Sequence, residues 1–150
     1  MKNIIFFGLL LMISCKKEMT LEDIKIEKPV NPFSEICYQG VQGKDTISMT
    51  LITKGKQLQY GKLAYDFFEK DQNEGTLVGT FRGDTLVGKY SFRSEGIDSV
   101  REVVFLKDGK NYLVGHGAMI ADPSGKLLFK DIRTVQFDTS FLLLEVPCSK

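Results

Sequence analysis

Gly75-Thr-Leu-Val-Gly-Thr-Phe-Arg82 and Gly83-Asp-Thr-Leu-Val-Gly-Lys-Tyr-Ser-Phe-Arg93 lie back to back in the chain, and each carries the order Leu, x, Gly, x, aromatic. A period of two puts Leu77, Gly79 and Phe81 on one face of a strand and Leu86, Gly88, Tyr90 and Phe92 on one face of the next. Arg82-Gly83-Asp84 supplies a tight reversal between them, so the two units read as adjacent antiparallel strands. The glycines on those apolar faces relieve crowding where strands coil, or leave room for a ligand ring.

The same pattern extends in both directions. Thr46 to Thr53 alternates Ile47, Met49 and Leu51 with Thr46, Ser48 and Thr50. In Gln57 to Phe68, Leu58 and Tyr60 are in register, but Leu63, Tyr65 and Phe67 are displaced by one residue, which predicts a β-bulge at Gly61. Downstream strands are predicted over Ser99 to Lys107, Asn111 to Ile120, Lys126 to Phe137 and Phe141 to Val146. The breaks between them are Asp108-Gly109-Lys110, Asp122-Pro123-Ser124-Gly125 and Asp138-Thr139-Ser140. No helix-period apolar stripe of useful length occurs. The expectation is an all-β antiparallel meander of about 8 to 10 strands closed into a small up-and-down, lipocalin-like barrel, with a two-sheet sandwich as the alternative. Closure removes the exposed edges a long meander would leave.

Upstream of the strands the chain changes character. Lys2 precedes an apolar run from Ile4 to Ile13 that ends at Ser14 and Cys15, the length of a signal peptide and too short to span a bilayer. Leu11-Met12-Ile13-Ser14-Cys15 resembles the lipobox of bacterial lipoproteins, with Met12 where Leu is commoner. The resemblance implies cleavage after residue 14, lipidation of Cys15, and anchoring by several acyl chains, which together hold far more firmly than one. The segment from Cys15 to Glu35 is charged, carries Pro29 and Pro32, and reads as a tether ahead of an all-β domain over residues 36–150. As flexible chain it would reach on the order of 25 Å.

The chain has three Cys in all. With Cys15 lipidated, Cys37 and Cys148 remain as one pair in an oxidising compartment, and a bond between them would join the first and last strands.

Twenty Lys and Arg balance nineteen Asp and Glu in 150 residues. No basic cluster offers the footprint that nucleic acid needs. The single His, His116, is expected to face outward, opposite Leu113, Gly115, Gly117 and Met119. No Gly-x-Ser-x-Gly elbow exists to present a nucleophile, Gly115 and Gly117 lack the third glycine of a dinucleotide loop, and Glu69 to Gly75 departs from a calcium loop. The reading is non-enzymatic, with no cofactor and no metal. Arg101-Glu102, inside the apolar run Val100 to Leu106, is the informative polar feature, because neighbours on a strand face opposite ways and one of the two charges must face the interior. With Tyr65 and Tyr90 they are the candidate ligand-binding residues, forming a polar anchor for an acidic or amphiphilic small molecule; a structural role for the pair is the competing reading.

The string from Cys37-Tyr-Gln-Gly through Gly61-Lys-Leu-Ala-Tyr-Asp-Phe-Phe and Gly83-Asp-Thr-Leu to Ser99-Val-Arg-Glu-Val resembles an uncharacterised family of small bacterial envelope lipoproteins. That likeness implies a lipidated, all-β envelope protein and supplies no site residues; the expected location is the outer membrane. The expected function is a lipid-anchored, non-catalytic structural or protein-interaction module with an envelope protein as partner. The alternative is a barrel that binds an apolar or amphiphilic small molecule.

Overall fold

The computed structural model describes residues 31–70 and 72–149. The signal run, the lipobox with Cys15, and the tether up to Val30 lie outside the described residues.

Alternation of apolar and polar side chains produces ten strands in one sheet. They are β1 (Phe33–Gln42), β2 (Asp45–Lys54), β3 (Gln57–Asp66), β4 (Asn73–Arg82), β5 (Thr85–Ser94), β6 (Ile97–Asp108), β7 (Asn111–His116), β8 (Met119–Ala121), β9 (Leu127–Phe129) and β10 (Gln136–Val146). β1 to β7 run as an antiparallel meander, β10 inserts between β7 and β1, and eight strands thereby close into a barrel. The short β8–β9 hairpin lies beyond β6 and pairs with it in parallel at Arg101↔Leu127. β1 begins at Phe33, so Phe33 to Glu35, expected in the tether, are strand.

The inward face is the one the alternation assigns. Ile47, Met49, Leu51, Leu63, Leu77, Leu86, Tyr90, Phe105 and Leu143 are all essentially inaccessible to solvent and form one core. Gly79 pairs with Gly88, and a Cβ on Gly79 would sit 2.7 Å from the Gly88 Cα. Those glycines serve close strand packing, not ligand space.

Several expectations are corrected by register. The bulge in β3 falls at Gln59, between the pairs Ile52↔Tyr60 and Thr53↔Leu58, while Gly61 pairs regularly with Leu51. The extra residue turns Tyr60 outward and brings Gly61, Leu63 and Tyr65 onto the Leu58 face. The predicted strand Asn111 to Ile120 divides after His116. Lys126 to Phe137 resolves into β9, a 3₁₀ turn over Ile132–Thr134 capped by Asp131, and the start of β10. Asp138-Thr139-Ser140 does not end a strand: β10 runs through it with a bulge between Phe137 and Leu142.

The closing seam is short. β1 and β2 share ten registered pairs, whereas β1 and β10 share three, Cys37↔Val146, Tyr38↔Glu145 and Gln39↔Leu144. The Cys37–Cys148 disulfide spans that seam with a Cα separation of 5.2 Å. Core, seam and disulfide all lie within the compact unit Asn31–Lys150.

Candidate functional site

The barrel wall opens where β6 and β7 part. β7 stays in register with β6 from Asp108↔Asn111 to Phe105↔Val114 and then continues alongside β10, while the next registered partner of β6 is β9, at Arg101. At this end lies a cavity of about 280 Å³ whose lining includes Ile47, Tyr65, Phe67, Arg101, His116 and Phe141.

Register decides the Arg101-Glu102 question. Arg101 pairs with the inward Tyr90, and Val103 and Phe105 continue its face into the core, so the arginine is the charge directed inward. Its Nε is buried without a hydrogen-bond partner, and among the described residues its guanidinium forms no ion pair. The Phe92 ring lies under the guanidinium, whose carbon is 5.9 Å from the ring centroid, at the outer limit of a cation–π interaction. Arg101 as a whole is half-buried and only its Nε is sealed off, so an anion or water at the open mouth would supply the partner that this nitrogen lacks.

Aromatic rings surround this charge. Tyr65 lies 5.5 Å from Tyr90 and 5.7 Å from Phe67, Phe67 lies 6.0 Å from Phe141, and Tyr90 stacks on Phe92 at 4.7 Å. Burial pushes the Tyr65 phenol up to about 12, with Arg101 pulling the other way. Tyr90 is also raised, by burial first and by Tyr65 next, against the pull of Arg101. Both phenols are therefore protonated donors across the neutral range. The Tyr90 hydroxyl is already committed, donating to the Asn73 carbonyl at 2.9 Å. Tyr65 has no such bond among the described residues and is the phenol free to meet a ligand oxygen.

Of the four candidate binding residues, the structure brings Tyr65, Tyr90 and Arg101 together on the inner face. Glu102 points the other way, as strand geometry requires of its neighbour. Its Oε2 accepts a hydrogen bond from the Phe129 backbone N–H at 3.0 Å, holding the β8–β9 hairpin against β6. Glu102 thus shapes the opening without joining the aromatic cluster.

His116 corrects the expectation in the other direction. Tyr112 and Val114 are the buried residues of β7, so His116 shares the inward parity and lies exposed at the cavity mouth. Counting back from Tyr112 and Val114 would have found this. Phe67 continues the alternation of Leu63 and Tyr65, which already pointed to its face, whereas Phe141, the first residue of a predicted strand, had no neighbour to fix its side. Cys37 and Cys148 are bonded as anticipated.

Comparison with protein-family models, curated proteins and solved structures yields no match, so the cavity has to be judged on its own chemistry.

Proposed function

We propose that this protein is a lipid-anchored bacterial envelope barrel that holds a small carboxylic acid, with an aromatic ring or short apolar chain, in the Arg101 cavity. The observation that carries the reading is a buried, unpaired guanidinium nitrogen among aromatic side chains. A carboxylate would supply the missing counter-charge in bidentate form, and the apolar body would rest on Tyr65, Phe67 and Phe141. The volume, about 280 Å³, is just below the usual range for ligand sites and selects small acids over full-length lipids. Anchoring through Cys15 rests on the lipobox resemblance, and the outer membrane is the location we propose for the barrel.

The structural or protein-interaction module expected from the sequence has less to stand on. Exposed apolar residues such as Val41, Val78, Ile97 and Ile120 are distributed over β1, β4, β6 and β8, where single exposed apolar side chains are ordinary.

The test is titration calorimetry with benzoate, phenylacetate and octanoate against their uncharged amides. Acids should bind and amides should not, and Arg101→Gln should weaken the acids about 10- to 100-fold, the range for a charged hydrogen-bonded pair. Equal binding of acid and amide, or unchanged binding by a folded Arg101→Gln variant, would refute the assignment. Anchoring is tested separately by palmitate labelling of the full chain, which Cys15→Ala should abolish.

A further inference from the structure

The two ends of the barrel differ in charge. The turns at the end where the chain enters at Phe33 join β2 to β3, β4 to β5 and β6 to β7, and they carry Lys54, Lys56, Arg82, Lys107 and Lys110 against Asp84 and Asp108. At the opposite end, the segments joining β1 to β2, β3 to β4 and β5 to β6 carry Asp45, Asp66, Glu69, Glu95 and Asp98 against Lys44, Lys70 and Arg93, and the longer segment between β7 and β10 adds Lys126, Lys130 and Arg133 against Asp122 and Asp131. The entry-end turns thus carry a clear excess of positive charge, while the opposite end is only slightly acidic. Among the described residues none of the five cations at the entry end forms an ion pair.

A second feature lies at that basic end. A cavity of about 560 Å³ has Ile36, Tyr38, Leu51, Phe81 and Tyr112 on its walls. Lys56 and Lys107 also line it, beside Asp84. Tyr38 and Tyr112 meet edge to face with ring centroids 5.1 Å apart. On the outer wall beside the same end, Phe33 and Tyr60 are nearly half exposed, at 45% and 46%, and line a shallow groove together with Ile52. Basic side chains around an apolar cup, with exposed aromatics alongside, match the layered chemistry of a bilayer surface: anionic headgroups outside, acyl chains within, and aromatic rings at the boundary.

We infer that the entry end of the barrel is a docking surface for anionic phospholipid, with Lys56 and Lys107 meeting the headgroup phosphate and the Tyr38–Tyr112 cup receiving apolar chain. Docked by this end, the barrel would turn the Arg101 cavity away from the bilayer, and the lipid site is distinct from that cavity.

The experiment uses the compact unit, residues 31–150, which carries no anchor. Co-sedimentation with phosphatidylglycerol-containing vesicles is compared with pure phosphatidylcholine vesicles at low and high salt. NMR titrations with dihexanoyl phosphatidylglycerol, its choline counterpart and glycerol phosphate locate the contact. Binding should be selective for phosphatidylglycerol, weaken with salt, and shift Tyr38, Leu51, Phe81 and Tyr112 while leaving Tyr65 unmoved. Lys56→Ala and Lys107→Ala should each weaken vesicle binding about fivefold, and Lys44→Ala at the other end should not. Equal binding to both vesicle types, shifts confined to the acidic end, or shifts reproduced by glycerol phosphate alone would overturn the inference. Loss of palmitate labelling with vesicle binding intact would remove only the anchor.

Discussion

Breaking the Cys37–Cys148 bond should remove a large part of the barrel's stability, and the structure fixes why. The bond joins residues 111 apart, so it closes nearly the whole domain in the unfolded chain. For a loop of that length the chain-entropy relation gives about 5 kcal/mol, an upper figure if the denatured state keeps residual structure. Typical domains have only about 5–15 kcal/mol in total, so a Cys37→Ser/Cys148→Ser variant should be marginal. The folded state has its own reason to depend on the bond, because only three registered pairs hold β10 to β1. Urea denaturation of residues 31–150, followed by circular dichroism, should show a midpoint far below that of the oxidised protein. The m-value should rise, since an uncrosslinked denatured chain exposes more surface. In thermal melts the loss corresponds to roughly 15–20 °C for a domain near this size. Reduction of the wild-type protein should reproduce the variant, and amide exchange at Tyr38 and Gln39 should accelerate before that of β2 and β3. A destabilisation below about 1 kcal/mol, with the bond verified by mass in the starting protein, would refute the reasoning.

Two further outcomes follow from the side chains. Glu102→Ala should release the Phe129 amide, speeding its exchange and loosening β8–β9 with a loss of about 1–3 kcal/mol, while Tyr38 and Met49 in the core stay protected; uniform protection across the chain would contradict the assigned contact. Burial raises the phenols of Tyr38 and Tyr65 to about 12, so their contribution to stability is complete below pH 10, is lost as pH climbs from 10 toward 12, and levels off above that. Alkaline denaturation followed through tyrosinate absorbance should therefore show cooperative ionisation coincident with unfolding, and gradual ionisation of these phenols in a still-folded protein near pH 10 would be inconsistent with their burial.

Much of the fold was legible because the strands alternate cleanly wherever both neighbours are meander partners. In β2, β4 and β5 the apolar set keeps one face and pairs with its neighbour, so local pattern and global topology agree there. Legibility fails where the partner is distant. β10 borders β7 and β1, which lie far apart in sequence, and its bulge lets Phe137 and Leu142 serve different parts of β7. No local signal distinguishes such a bulge from the turn that Asp138-Thr139-Ser140 suggests. Likewise Gly61 drew the bulge to itself, while the extra residue sits at Gln59, because a glycine marks permissive backbone without fixing which residue goes unpaired.

The candidate site divides in the same way. That one of Arg101 and Glu102 must face inward is a property of any strand, and the sequence alone was enough to say so. Which of them does was decided by pairing with β5, since Tyr90↔Arg101 places the arginine on the side of a ring already buried. The alternation of the central hairpin was likewise a local fact and determined an all-β domain, while the Cys37–Cys148 staple followed only with Cys15 set aside as the lipidation candidate. The excess of positive charge at the entry end, the cup beneath Lys56 and Lys107, and the cavity where β6 and β7 part belong only to the closed barrel. Closure gathers residues far apart in sequence at a common rim, and no window of a linear chain contains that distance.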